Sequence, residues 1–253
     1  MKTLTILFVA AIMMGVGCSK SEDSENNPDK PDKPSPLPDL PDPNDVCSCM
    51  DDIIFMQYCY DNFDVNKDGK VSKIEASAVA KIDLARQEIK TLTGIGYFSN
   101  LEILNCKECH ELTTVDLSNN LKVRIGDEMF YTCSKLSKIV LPNNILEIGE
   151  SAFCSCSSLR SVTFEKGSQL KYMVEGVFCD CEALTSIEIP ASVEMIDMYY
   201  CINLANIYCY PSIPPILNDF RCKNFVLYVP SQSLEAYKNS SWSEYYSSIK
   251  TIQ

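Results

Sequence analysis

A repeated pattern of apolar residues runs through the second half of the chain. Four segments share the pattern L-x-x-[IV]-x-apolar; they begin at Leu136, Leu159, Leu184 and Leu204, in steps of 23, 25 and 20 residues. One such unit cannot bury its own apolar side, so units must stack to create a continuous core with the x positions outside. The pattern therefore predicts a mainly β solenoid.

A second set of apolar segments lies between these four and completes each turn. They begin at Ile145, Val174 and Val193, and the first of them reads ILEIGESAFCSC. Residues 101–106 and 112–120 also fit turns of a solenoid. Their leucines are eleven residues apart, which leaves open whether they belong to one turn or to two.

The cysteines follow the same repeat. Four of them stand three residues before a repeat leucine: Cys133, Cys156, Cys181 and Cys201. We expect these side chains to point inward and to pack as small apolar groups. Cys154 and Cys179 occupy equivalent positions on adjacent turns, and we expect them to point outward. They are open to a disulfide in an oxidising compartment or to remaining free thiols, and a local bridge is also open to Cys47, Cys49 and Cys59.

Residues 64–75, with the sequence DVNKDGKVSKIE, have oxygen donors at the positions of an EF-hand calcium loop. Such a loop takes ligands from positions 1, 3, 5, 7, 9 and 12 and needs glycine at position 6, here Gly69. The predicted ligands are Asp64, Asn66, Asp68, the backbone carbonyl of Lys70, Ser72 through a water, and Glu75. The donor number favours calcium over magnesium. The alternative is a solvated turn, since Asp, Asn and Gly are also turn-forming residues.

The residues around the loop predict its helices. Residues 51–61 have apolar positions at helical spacing, whereas residues 76–80 predict a very short exit helix before a strand at residues 82–84. The hand therefore stands alone with little room to open. This arrangement is typical of a structural clip and not of a paired sensor.

The N-terminus has the features of an export signal. Lys2 precedes an apolar run over residues 4–16, and Gly15-Val16-Gly17-Cys18 resembles a bacterial lipoprotein signal. The resemblance implies cleavage before Cys18 and lipidation of that residue; an ordinary secretory signal is the alternative. The run is too short to span a bilayer as a helix. The following proline- and acid-rich residues predict an extended, disordered stalk.

The repeat resembles the BspA-like leucine-rich-repeat family, whose repeat runs V-x-x-I-G-x-x-A-F-x-x-C-x-x-L-x-x-I-x-L-P. The resemblance covers about residues 79–230. The EF-hand before the first turn and the acidic residues after Cys18 resemble features of Bacteroidetes surface lipoproteins, which implies an outer-membrane, outward-facing protein. The predicted domains are a signal peptide (1–17), a stalk (18–46), an EF-hand cap (47–80), a leucine-rich-repeat domain (81–226) and a C-terminal cap (227–253).

Other chemistries fit the chain less well. A net charge of −12 argues against nucleic acids and anionic membrane surfaces as partners. Cys106-Lys-Glu-Cys109-His110 matches a haem-attachment motif, but the same residues fit the repeat frame, and a zinc site there lacks a fourth ligand. His110 is the one histidine of the sequence and has no recognisable catalytic partners. We predict no enzymatic activity.

The sequence therefore predicts a surface binding module that contacts a host or neighbouring-cell protein, in protein–protein interaction or adhesion. The alternatives are a surface glycan-binding protein that supports polysaccharide uptake, and an envelope protein without a ligand. A group of tyrosines fits either a sugar-stacking platform or, as we expect, packing of the C-terminal cap: Tyr199, Tyr200, Tyr208, Tyr210, Tyr228, Tyr237, Tyr245 and Tyr246.

Overall fold

The computed structural model describes residues 36–252. The predicted signal peptide, Cys18 and the stalk as far as residue 35 lie outside the described residues.

The described chain contains three short α-helices and thirteen short strands. The helices are α1 (Ile53–Phe63), α2 (Lys73–Ala78) and α3 (Leu234–Lys238). The strands are β1 (Lys81–Asp83), β2 (Ile103–Asn105), β3 (Thr114–Asp116), β4 (Lys138–Leu141), β5 (Glu147–Ile148), β6 (Ser161–Phe164), β7 (Tyr172–Met173), β8 (Ser186–Ile189), β9 (Met195–Ile196), β10 (Asn206–Cys209), β11 (Ile216–Leu217), β12 (Phe225–Val229) and β13 (Tyr246–Thr251). Short 3-10 helices cover Val46–Cys49, Ile95–Tyr97, Ser231–Ser233 and Ser241–Glu244.

Every strand pairing in the described chain is parallel, as a solenoid requires. The L-x-x-[IV] strands form the ladders β3-β4-β6 and β8-β10-β12-β13, whereas the strands of the second half-turns form β5-β7-β9-β11. Along each strand the residues alternate between core and surface; in β8, for example, Ile187 and Ile189 are buried and Glu188 is exposed. The predicted mainly β leucine-rich-repeat solenoid is confirmed.

The structure settles the register of the early turns. β2 pairs in parallel with β1, which precedes it in the chain. The carbonyl of Glu102 accepts the N–H of Arg124, which lies in the second half of the next turn. β3 pairs with β4, and Thr114 bridges to Thr91. The segments 101–106 and 112–120 are therefore consecutive half-turns. Residues 101–106 stack with the strands of the second half-turns, whereas residues 112–120 stack with the L-x-x-[IV] strands.

The core is a stack of phenylalanines flanked by the cysteine ladder. The rings of Phe130, Phe153 and Phe178 lie parallel, with centroids 5.4 Å apart at each step. Each inward thiol donates to a carbonyl of the preceding turn; these bonds join Cys133 to Cys106, Cys156 to Phe130, Cys181 to Phe153 and Cys201 to Phe178 at 3.0–3.3 Å. The predicted inward ladder is confirmed, and its thiols also satisfy backbone carbonyls.

Aromatic side chains close the C-terminal end. Trp242 and Tyr237 are fully buried and pack edge to face at 5.8 Å. The Trp242 indole donates to the carbonyl of Pro215 at 2.9 Å, and the Tyr237 hydroxyl donates to the carbonyl of Pro211 at 3.0 Å. Each large ring is buried with its polar atom satisfied, so this segment covers the last turns.

Candidate functional site

The loop between α1 and α2 folds around its own acidic side chains. Gly69 has φ +82°, and a Cβ there would meet nothing within 4 Å, so this position needs glycine for its backbone and not for space. Asp64 accepts the N–H groups of Asp68 and Gly69 at 3.2 and 2.9 Å. Asn66 accepts the same Asp68 N–H at 2.9 Å, and Asp68 accepts that of Lys70 at 3.0 Å.

Glu75 joins the two ends of this loop. One carboxylate oxygen accepts the N–H groups of Val65 and Asn66, and the other accepts the N–H and hydroxyl of Ser72, both at 2.8 Å. Ser72 caps α2 in return by accepting the N–H of Glu75, which forms a capping box. These bonds, from Ser72 first, lower the pKa of Glu75 below its usual 4.5.

The predicted ligands thus lie in one loop with the backbone turn that an EF-hand requires. Their donors are carboxylate, amide, hydroxyl and carbonyl oxygens, which is the chemistry a hard divalent cation needs. Among residues 36–252, one group of three Cys, His, Asp or Glu ligand atoms lies within 4.8 Å of one another, and it is outside this loop. The carboxylates of Asp64, Asp68 and Glu75 are therefore spaced more widely than that. In this conformation the carboxylates bind backbone N–H groups instead.

Asp45 ties the loop to the segment before α1, a role that the sequence analysis missed. One oxygen of this buried carboxylate accepts the N–H groups of Cys47 and Val71 at 3.0 and 3.1 Å, and the other accepts the Tyr60 hydroxyl at 2.6 Å. The N–H of Val46 donates to the carbonyl of Val71 at 2.8 Å. Both backbone groups of Val71, at position 8 of the loop, are therefore bonded within the chain and are not free to pair with a second loop.

The segment formed by α1, the loop at residues 64–75 and α2 packs directly on the first turn of the solenoid. The carboxylate of Asp52 caps α1 and also accepts the N–H of Lys90 at 2.6 Å. Asn100 donates to the carbonyl of Ser77 at 2.6 Å. The ring of Phe98, in the first turn, lies 6.4 Å from Phe55 and 5.6 Å from Phe63. Hydrogen bonds and ring contacts therefore join this segment to the first turn.

The haem-attachment reading of residues 106–110 does not fit the structure. Cys106 and Cys109 are fully buried, and the Cys109 thiol donates to the carbonyl of Leu84 at 3.0 Å. A porphyrin cannot reach either sulfur. His110 is exposed, and its Nδ1 lies 3.0 Å from the carbonyl of Thr132.

A row of side chains crosses the outer face of the C-terminal sheet. Glu188, Tyr208, Tyr228 and Lys250 are register partners on β8, β10, β12 and β13, and we call them the tyrosine row. The two tyrosine rings stack with centroids 4.4 Å apart and planes 13° apart. The Lys250 ammonium lies 5.7 Å from the centroid of Tyr228. The expectation that the C-terminal tyrosines serve cap packing holds for Tyr237 but is wrong for Tyr208 and Tyr228, because the strand alternation directs these two outward.

A groove lies beside the tyrosine row, where the ladder of L-x-x-[IV] strands is interrupted. β6 and β8 are neighbours in the stack but belong to different ladders. The groove has a volume of about 310 Å³. Its lining includes Phe164, Gly167, Glu188, Pro190 and Tyr210. Burial, and then the charge of Glu188, raises the pKa of Tyr210. The sequence contained one sign of this groove, the 25-residue step into Leu184, which is the longest of the three.

Comparison with known proteins agrees with the repeat fold. Residues 99–225 match six copies of the BspA type leucine rich repeat region, which is half of the chain. The chain belongs to this family of leucine-rich-repeat proteins. No curated protein matches it in sequence.

Two solved structures are similar to the chain at low sequence identity. An internalin (InlF) from Listeria monocytogenes is 12% identical with a TM-score of 0.32, and the match covers 83% of this chain and 58% of the internalin. A leucine-rich repeat protein from Bacteroides ovatus is 15% identical with a TM-score of 0.27, covering 70% of this chain and 61% of the other. The chain thus spans less than two thirds of the length of either protein. Within residues 36–252, none of the helices has the length and apolar character needed to cross a membrane.

Proposed function

We propose that the chain is a lipid-anchored surface protein whose solenoid binds another protein, in adhesion or a related contact, through the tyrosine row and the adjoining groove. The observation that carries this proposal is the outward pair of stacked tyrosines next to a groove of about 310 Å³. Tyrosine is enriched at protein interfaces because it combines a large apolar area with a polar atom.

The same geometry favours a protein partner over a glycan. Sugars stack on open ring faces, but Tyr228 has Tyr208 over one face at 4.4 Å and Lys250 near it at 5.7 Å. The row therefore presents ring edges, hydroxyls and the charged ends of Glu188 and Lys250. Such a surface suits side-chain contacts and hydrogen bonds. Tyr210 is 37% exposed at the groove and is the one feature that favours the glycan alternative.

Calcium, in this proposal, stabilises the N-terminal cap and does not act as a signal. Asp64, Asn66, Asp68, Lys70, Ser72 and Glu75 would hold the ion through their oxygen atoms. Two observations support a structural role. The backbone N–H and carbonyl of Val71 are already bonded to Asp45 and Val46, and the carboxylate of Asp52 at the start of α1 accepts the N–H of Lys90. The remaining parts of the proposal, lipidation at Cys18 and display on an outer membrane, rest on the sequence of residues 1–35.

The test is a binding assay with matched variants. A soluble chain that begins after Cys18 is presented in parallel to extracellular matrix proteins and to a glycan array. We expect binding to a protein, lost when Tyr208 and Tyr228 are both replaced by alanine. Tyr172→Ala is the control, because Tyr172 is also a surface tyrosine (37% exposed) but lies on β7, in the other ladder. Binding to glycans alone, or equal loss in the control, would refute the proposed surface.

A further inference from the structure

The structure brings three potential metal ligands together on one corner of the solenoid, away from the EF-hand. The Sγ atoms of Cys154 and Cys179 and a carboxylate oxygen of Asp180 all lie within 4.8 Å of one another. Among the described residues this is the one such group of three Cys, His, Asp or Glu side chains. It comes from two successive turns, which are joined by the bond from the N–H of Ser155 to the carbonyl of Cys179 at 2.8 Å.

The repeat explains why the two thiols meet. Each stands two residues before an inward cysteine, Cys156 or Cys181, so both occupy the same position on adjacent turns. Between each pair lies a residue with left-handed backbone, Ser155 at φ +59° and Asp180 at φ +55°. The tight turn at Asp180 places its carboxylate beside the thiol that precedes it. Few L-residues adopt this backbone conformation readily, but aspartate is among those that do.

Burial distinguishes these thiols from surface cysteines. Cys154 is partly buried and Cys179 is 9% exposed, although neither belongs to the apolar core that contains Cys156 and Cys181. The equivalent position on the next turn is Tyr199; burial, and then the charges of Glu175 and Cys179, raise the pKa of its hydroxyl. Asp180 remains exposed and gives the group a path to solvent.

We propose that Cys154, Cys179 and Asp180 bind a soft divalent cation of the zinc type. Zinc takes thiolate and carboxylate ligands in tetrahedral geometry, with Zn–S distances of about 2.3 Å, which puts two ligand sulfurs roughly 3.8 Å apart. The group already lies within a small adjustment of that spacing. Binding releases the two thiol protons, because a coordinating thiol is deprotonated. The fourth position is left to water.

A disulfide between Cys154 and Cys179 is the competing use of the same atoms. Neighbouring parallel strands are about 4.8 Å apart, which falls within the Cα separation that disulfides accept. The disulfide accounts for two of the three ligands and gives the carboxylate of Asp180 nothing to bind. The metal uses all three, and for this reason we favour it.

Cobalt provides the test, because thiolate-bound Co²⁺ absorbs light through sulfur-to-metal charge transfer and oxygen-bound Co²⁺ does not. The full chain, kept reduced with a phosphine, is titrated with Co²⁺ and then with Zn²⁺. We expect thiolate absorption that saturates at one equivalent and disappears as zinc displaces cobalt. Cys154→Ser and Cys179→Ser should each abolish this absorption, and Asp180→Asn should weaken Co²⁺ binding at least tenfold.

Two control variants separate this site from the other metal and thiol groups. Glu75→Gln should leave the absorption unchanged, because the EF-hand loop has oxygen donors. Cys49→Ser should also leave it unchanged, because Cys49 is a partly exposed cysteine outside the group. Circular dichroism melting of each variant confirms that it folds. Absence of thiolate absorption in the reduced wild-type chain, or its persistence in both folded serine variants, would overturn the proposal, as would air oxidation to a Cys154–Cys179 disulfide in a chain that takes up no metal when reduced.

Discussion

The carboxylate of Asp52 accepts the backbone N–H of Lys90 at 2.6 Å, across 38 residues of sequence. Its other oxygen accepts the N–H groups of Ile54 and Phe55, both at 2.9 Å, at the start of α1. One buried carboxylate thus caps α1 and joins it to the first turn of the solenoid. With the bond from Asn100 to the carbonyl of Ser77, it links the segment around residues 64–75 to the repeat domain.

Asp52→Ala should lower the free energy of unfolding by about 2–4 kcal/mol, because it removes a helix cap and leaves the Lys90 N–H without its partner. Asp52→Asn separates the two effects, since asparagine caps helices as well as aspartate does but has one acceptor oxygen instead of two. We expect an intermediate loss for this variant. Urea unfolding of both measures the difference; equal stability of Asp52→Ala and wild type would contradict the coupling.

Calcium should raise the melting temperature of the wild-type chain, and a chelator should lower it. Binding at about 100 times the dissociation constant would add about 2.7 kcal/mol. Glu75→Gln should melt at a lower temperature in calcium and show no response to the chelator. In hydrogen exchange, we expect loosening between residues 51 and 104 with later turns unaffected. A calcium-induced increase in binding of a hydrophobic dye would indicate an opening sensor and contradict the structural role.

Without a bound cation, the segment around residues 64–75 should lose stability in acid. The folded state lowers the pKa of Glu75 through its bonds to Ser72, Asn66 and Val65. A lowered carboxyl pKa stabilises the fold above the unfolded value, here 4.5, and this stabilisation is lost as the pH falls through the folded value. Urea midpoints of the chelated protein should therefore fall below about pH 4.5. Glu75→Gln should show a smaller decrease, and an identical profile would show that Glu75 does not contribute.

Core substitutions should be costly in proportion to the cavity that they create. Ile148 is fully buried in β5, and Ile148→Ala should lower the free energy of unfolding by about 2–5 kcal/mol. Ile187→Ala, in β8, should behave in the same way. Thr163→Ala is the matched control, because Thr163 lies on the outer face of β6, and its effect should stay within about 0.5 kcal/mol. Similar losses for all three would contradict the observed alternation.

Lipidation is tested by cell fractionation. Cys18→Ala should remove the protein from the outer-membrane fraction, because the residue that would carry the lipid is gone. Metabolic labelling with a fatty acid provides the second readout and should mark the wild-type chain but not the variant. Recovery of Cys18→Ala protein with the membranes would contradict the predicted anchor.

Several features could be predicted from the sequence because they depend on local periodicity. The alternation of leucine and isoleucine predicted which residues of β4, β6, β8 and β10 are buried, and the spacing of the inward cysteines predicted their ladder. The loop at residues 64–75 was recognisable because each of its positions has a specific residue type. Each of these patterns can be read from residues that are close together in sequence, so no long-range contact was needed to recognise it.

The tertiary structure alone decided the features that join distant residues. The register of residues 101–120 depended on which stack of strands each segment joins, because the L-x-x-[IV] strands and the strands of the second half-turns accept the same apolar pattern. The bonds from Asp45 to Val71 and from Asp52 to Lys90, and the meeting of Cys154, Cys179 and Asp180, arise because parallel stacking places residues one turn or more apart side by side. Sequence periodicity predicts that turns stack, but which polar side chains meet depends on the exact rotation between turns and on the backbone at single positions such as Asp180. Those are set by packing of the whole solenoid.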